Sequence, residues 1–108
     1  MKWRIETLDG RVDAELDSLE PSLKPRFLHV CELLETFGPG EVGLPHVRFL
    51  VDKLWEIRMK GKSGIARAIY LTVSGQRIVV LHAFVKKTQK TPRAAIETAL
   101  DRAKDIGK

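Results

Sequence analysis

A single cysteine, Cys31, leaves the chain without a disulfide or a thiolate metal cluster, which fits a reducing cytosol. No apolar run approaches the roughly 20 residues of a membrane span. The opening residues Met1-Lys2-Trp3-Arg4-Ile5-Glu6 lack the hydrophobic stretch of a signal peptide. A cytoplasmic protein that does not engage membranes is therefore expected. Internal repeats and low-complexity segments are absent. His29, His46 and His82 show no ligand spacing such as His-x-x-x-His, so neither a metal site nor a cofactor is expected. Acid is scarcest in one stretch: between Trp55 and Arg93 there is only Glu56, against nine Lys and Arg residues.

What is present fits one domain, residues 1–108, with 44% apolar residues to supply a core. The net charge of +5 is unevenly spread. Residues 1–54 carry 7 bases and 10 acids, whereas residues 55–108 carry 12 bases and 4 acids. This division points to an acidic, helical half and a basic half suited to a polyanion such as RNA or DNA.

Hydrophobic spacing supplies the elements. Residues 2–8 alternate as a strand, broken by Asp9-Gly10. Val12, Leu16 and Leu19 suit a short helix ended by Pro21. Leu23, Phe27, Val30, Cys31, Leu34 and Phe37 fall on one face of a second helix over 22–37, stopped by Gly38-Pro39-Gly40. Residues 38–53 read mostly as loop. From Leu54 the period becomes two: Trp55, Ile57 and Met59 point one way, and Glu56, Arg58 and Lys60 the other. A turn at Lys60–Gly64 precedes strands over 65–73 and 76–86, joined by a two-residue turn at Ser74-Gly75. Thr91 as N-cap and Pro92 at the first position open a last helix with an apolar stripe of Ile96, Ala99, Leu100, Ala103 and Ile106. The order β-α-α-β-β-β-α predicts an α+β fold: a small antiparallel sheet flanked by an N-terminal helical hairpin and a C-terminal helix.

Strand alternation turns the charge imbalance into a cluster. With a two-residue turn, Arg67 faces His82, and Arg58 lies near Arg67 to within one residue of register. Lys86 and Lys87 end the last strand. The core of the cluster is Arg58, Arg67, Lys86 and Lys87, with Lys60, Lys62, His82 and Lys90 around it. It holds no carboxylate pair and no triad. It suits gripping phosphates and stabilising the extra negative charge that develops when a 2′-hydroxyl attacks its neighbouring phosphate. A lysine crowded by cations has a lowered pKa and can move the proton. For Arg67, among Ile65, Ile69 and Leu71, the alternative is a salt bridge to Glu56. For His82 it is a packed, hydrogen-bonded ring. Trp55 and Cys31 read as core, and Gly61-Lys62-Ser63 lacks the rest of a P-loop.

The segments Leu54-Trp55-Glu56-Ile57-Arg58, Ala66-Arg67-Ala68-Ile69-Tyr70 and His82 through Pro92, with its Phe-x-Lys-Lys-x-x-Lys-Thr-Pro pattern, resemble the RelE/ParE superfamily of bacterial type II toxins, on its HigB-like, phage-derived branch. The resemblance follows the element order of the whole chain and is most specific in its last two-thirds. It implies a RelE-like fold and a ribosome-dependent mRNA endoribonuclease, or mRNA interferase, that halts translation. It also implies a helix-turn-helix antitoxin as partner, through which alone operator DNA is bound. Arg58 and Arg67 match the family's phosphate-gripping strand residues, and Lys86 and Lys87 its basic strand end. Some relatives place a catalytic tyrosine near the C-terminus. Here Tyr70, the only tyrosine, lies mid-strand and the final helix has no aromatic, so a lysine or His82 would have to serve as general acid. Two other functions are compatible with the same residues: a ParE-like inhibitor of DNA gyrase, and a non-enzymatic nucleic-acid-binding module.

Overall fold

The computed structural model describes residues 2–62, 64–87 and 90–107. The chain runs through β1 (Arg4–Thr7), α1 (Gly10–Asp17), a 3-10 turn (Pro21–Leu23), α2 (Lys24–Phe37), β2 (Val47–Val51), β3 (Leu54–Lys60), β4 (Ile65–Val73), β5 (Arg77–Lys86) and α3 (Arg93–Ala103). The strands form a five-stranded sheet in the order β1-β5-β4-β3-β2. The helical hairpin, the C-terminal helix and the run of late strands match the sequence reading. Other features differ from it.

First, the sheet is mixed. β2 to β5 form an antiparallel meander, but β1 joins β5 in parallel, from Arg4 opposite Arg77 to Thr7 opposite Val80. Alternation in residues 2–8 marks a strand without saying which neighbour it will find or in which direction. Second, residues 47–51 are a strand rather than loop. Val47, Phe49 and Val51 do alternate, but the preceding glycines and prolines obscure them. The turn that follows, with Asp52 at φ 59°, leads directly into β3.

Each face of the sheet is covered. On one side Val12, Leu19, Leu23, Val30, Cys31 and Leu34 from the helical hairpin pack against Ile57, Met59, Ala68 and Tyr70. On the other, Ala95 and Ala99 of α3 pack against Leu54, Ile69, Leu71, Val79 and Leu81. Strands β4 and β5 are buried on both faces, which is why they read as near-continuous apolar runs. Trp55 packs with the hairpin-side core, and burial pushes the Cys31 thiol up to about 12, so both belong to the core as expected. Phe37, at the end of α2, is exposed instead. The helix stops at Gly38, whose φ of 86° favours glycine and whose N–H donates to the Leu34 carbonyl. A Cβ there would stand 3.0 Å from the Trp3 indole nitrogen.

The β4–β5 register also departs from a two-residue turn. Ser74, Gly75 and Gln76 form a three-residue connection, with Gly75 and Gln76 at φ 84° and 57°, so Val73 faces Arg77. The register then shifts between Ile69 and Tyr70, leaving Leu81 as the extra residue. The two offsets add, and Arg67 faces Phe84, not His82. A Ser-Gly dipeptide carries no sign of a bulge six residues beyond it, at Leu81.

The bulge is held by a charged network. Glu15 of α1 receives Arg102 of α3 through both guanidinium nitrogens, at 2.9 and 2.8 Å, and the Ala83 N–H at 3.1 Å. His82 Nδ1 lies 3.0 Å from the same carboxylate, and Arg102 also donates to the Leu81 carbonyl. Burial works against the charged form of Glu15, but the bonds from Arg102, Ala83 and His82 outweigh it and hold the carboxyl below its ordinary 4.5. Its contribution is therefore present above pH 4.5 and is lost as the pH falls through the lowered value. The Glu15→Gln variant is expected to lose about 1–3 kcal/mol at pH 7, with the gap to the parent narrowing below pH 4. Urea unfolding across that pH range checks this.

Candidate active site

Residues facing one another across a ladder share a face of the sheet. Arg58 of β3 stands opposite Arg67 of β4, as the sequence reading placed it. Like charges directly opposed are unfavourable, so the pair needs compensation. Glu56, two residues before Arg58 on the same face, supplies it. Its carboxylate is fully buried, with Oε2 3.5 Å from Arg67 Nε, and its Oε1 accepts the Thr91 hydroxyl at 2.7 Å. This is the Glu56 salt bridge weighed as the alternative for Arg67. Arg67 is only 4% exposed, and its Nη1 donates to the Ala66 carbonyl. Burial lowers its pKa, with Glu56 opposing, yet a guanidinium so far above neutrality keeps its charge. Thr91 was expected to cap α3. Pro92 occupies that position without a side-chain cap, and the threonine hydroxyl is used on Glu56.

Lys86, opposite Ile65 at the end of β5, is also buried. Desolvation first, then the charges of Arg67, Arg58 and Arg48, hold its ammonium below the usual lysine pKa, against the pull of Glu56. Arg48 was missed from the sequence because residues 38–53 read as loop. In β2 it stands opposite Glu56 and is exposed. The alternation of Val47, Phe49 and Val51 was the signal that could have found it.

Among the described residues, three buried atoms here have no hydrogen-bond partner: Glu56 Oε2, Arg58 Nε and Arg67 Nε. Buried polar atoms are normally satisfied. Beside them opens a cleft of about 200 Å³ lined by Pro45, Arg58, Met59, Lys60, Ile65 and Arg67. Arg67, held by Glu56 and by the Ala66 carbonyl, is a fixed cation at its wall, and fixed donors suit the stabilisation of developing negative charge.

The fold thus brings Arg58, Arg67 and Lys86 together and leaves others apart. Lys60 lies at the cleft, exposed at the end of β3, and Lys62 is exposed in the turn beyond. Ser63 of that turn falls outside the described residues. Lys87 is exposed past the end of β5. Lys90 lines a separate groove with Arg48. His82 is packed and hydrogen-bonded, held by Glu15 and stacked on Phe84 with ring centroids 5.1 Å apart. Tyr70 is fully buried on the opposite face, and burial raises its pKa. Among the described residues no group of three or more His, Cys, Asp or Glu could hold a metal ion, and no helix is long and apolar enough to cross a membrane.

A five-stranded mixed sheet with a helical hairpin on one face and a C-terminal helix on the other is a RelE-like fold. A family model described as phage-derived protein Gp49-like (DUF891) matches residues 14–104. The chain belongs to this Gp49-like family, within the RelE superfamily of type II toxins. It is 30% identical over 106 residues to the probable endoribonuclease HigB1 of Mycobacterium tuberculosis, in strains CDC 1551 / Oshkosh and H37Rv. That match covers 94% of this chain and 82% of the relative. Its fold is similar to a chain in the crystal structure of the archaeal RelE–RelB complex from Pyrococcus horikoshii OT3. The TM-score is 0.56 at 25% identity, over 79% of this chain and 96% of that one.

Proposed function

We propose that this protein is the toxin of a type II toxin–antitoxin pair, a single domain that cleaves mRNA on the ribosome in the cytoplasm without a metal ion. The observation that carries the reading is the cleft beside Arg58 and Arg67, where fixed cations converge and no second carboxylate stands ready to act as base. Arg58 and Lys60 grip the scissile phosphate, Arg58 by parallel hydrogen bonds. Arg67 and Lys86 supply positive charge from beneath. The 2′-oxygen of the substrate forms a bond to phosphorus as its proton leaves, and the bond to the 5′-oxygen breaks as that oxygen gains a proton. The products are a 2′,3′-cyclic phosphate and a free 5′-hydroxyl. Lys86, whose lowered pKa brings it nearer neutrality, is the group best suited to carry a proton. Lys87, Lys62 and Lys90 extend the field that holds the strand, and His82 serves by positioning β5.

The proposed partner is a helix-turn-helix antitoxin, through which the pair would meet operator DNA. Kinship to HigB1, named a probable endoribonuclease, supports the cleavage reading, and likeness to a chain solved in a RelE–RelB complex supports an antitoxin partner. Mapping mRNA ends on translating ribosomes tests it: discrete cuts ending in a cyclic phosphate are expected. Intact mRNA with broken DNA would instead identify a gyrase inhibitor, and RNA binding without cuts a passive binding module.

A further inference from the structure

β2 is the last strand of the sheet, and among the described residues no strand lies beyond it. Its hydrogen bonds show which backbone groups face that open edge. The Arg58 N–H donates to the His46 carbonyl, whereas Val47 turns its N–H away from β3, to the Gly43 carbonyl. Alternation along an antiparallel pair then turns the backbone groups of Arg48 toward β3 and those of Phe49 outward. An edge that offers both a donor and an acceptor is a template for another extended chain. Its regular part is short, because the register slips between Phe49 and Val51.

The two faces beside this edge differ in chemistry. Phe49 stands opposite Trp55 on the helical-hairpin face, with ring centroids 5.4 Å apart, yet it is 49% exposed. Arg48 stands opposite Glu56, on the face that carries Arg58 and Arg67. It is exposed, and the Glu56 carboxylate pairs with Arg67 instead, so Arg48 makes no ion pair among the described residues. On that face a groove of about 420 Å³ passes Arg48, Leu50, Lys90, Thr91 and Ile96, and no described acid lines it. A strand laid along β2 sends alternate side chains to the two faces. The fit is to apolar side chains beside Phe49 and carboxylates beside Arg48 and Lys90. RNA fits less well, since a phosphate accepts from the Phe49 N–H but has no donor for its carbonyl. A second copy of this chain, itself at +5, is repelled by like charge.

We propose that the open edge of β2 is a docking site for an extended segment of a protein partner, in which apolar and acidic residues alternate and which joins the sheet as an added strand. This rests on the toxin–antitoxin reading for the partner's identity, the antitoxin. Three short synthetic peptides serve as probes. One alternates valine with glutamate and one valine with lysine. The third is the glutamate peptide methylated at every backbone nitrogen, which keeps the carboxylates and loses the donors. The first is expected to bind about tenfold more tightly than either of the others and to slow exchange of the Phe49 amide proton. Arg48→Gln is expected to weaken the glutamate peptide severalfold and to leave the lysine peptide no weaker. Equal binding of the methylated or the lysine peptide, binding indifferent to Arg48, or binding that leaves Phe49 exchange unchanged would overturn the proposal. So would a dimer whose Phe49 amide is already protected, which gives the edge to a second copy. Equal protection by an uncleavable 2′-O-methyl RNA hexamer would give it to nucleic acid. The cleavage assay on ribosomes is run in parallel. Edge binding by a protein that cuts no mRNA sinks the enzymatic reading and leaves the docking edge standing. Cleavage by a protein whose edge binds none of the peptides does the reverse.

Discussion

A Glu56→Ala variant is expected to be less stable than the parent by about 3–5 kcal/mol, the usual consequence of removing one partner of a buried ion pair. Glu56 is the lone acid among the nine cations between Trp55 and Arg93. It is fully buried, it faces Arg67, and its other oxygen receives the Thr91 hydroxyl. Without it, Arg58 and Arg67 oppose each other across β3 and β4 with nothing between them, and the residues just before α3 lose their anchor. In a domain of this size the loss corresponds to a fall in Tm of more than about 10 °C. Thermal unfolding by circular dichroism measures it. A fall below about 2 °C would mean that water already screens the cluster. A Glu56→Ala, Arg67→Met double variant should recover much of the loss, because apolar replacement of a whole buried pair is often neutral or better.

The second large effect is on activity. Arg58→Ala is expected to slow cleavage by about 10²–10³-fold, the range for removing one donor to a developing anion, with little change in Tm, since Arg58 makes no ion pair among the described residues. A variant that cleaves at more than a tenth of the parent rate would remove Arg58 from the mechanism. The same substitution carries a second signature. Arg58 is one of the cations that depress the Lys86 pKa, so removing it lets that pKa rise. If Lys86 moves a proton in the reaction, the basic limb of the pH–rate profile shifts to higher pH in Arg58→Ala. If the limb stays where it was, the titrating group is elsewhere.

Much of this protein could be read from its residues alone, and the exceptions have physical causes. The helical hairpin, β3 to β5 and the last helix follow from spacing, since each buries a regular stripe. The Arg58–Arg67 pairing followed from alternation across a short turn, where little register error can accumulate. β2 did not, because five residues between prolines, glycines and a tight turn give too short a period to stand out. With β2 went Arg48. The Arg67–His82 pairing failed because a longer turn and a bulge act in the same sense, and neither has a local signature. Lys87 was grouped with Lys86 by adjacency, yet the strand ends between them, with Lys86 buried and Lys87 exposed. Charge count alone also could not show that Arg67 is buried, since that depends on one carboxylate arriving from the neighbouring strand.

The parallel pairing of β1 bears on the timing of folding. β1 lies at the edge of the sheet with β5 as its neighbour, and residue 4 pairs with residue 77. During synthesis from the N-terminus, the first strand must wait, without a strand to join, until β5 has been made. The Glu56–Thr91 contact that anchors the cation cluster waits longer still. Such long-range closures are slow steps. The cluster is therefore closed only once Thr91 has been made, so a nascent chain that has not reached it carries no finished site.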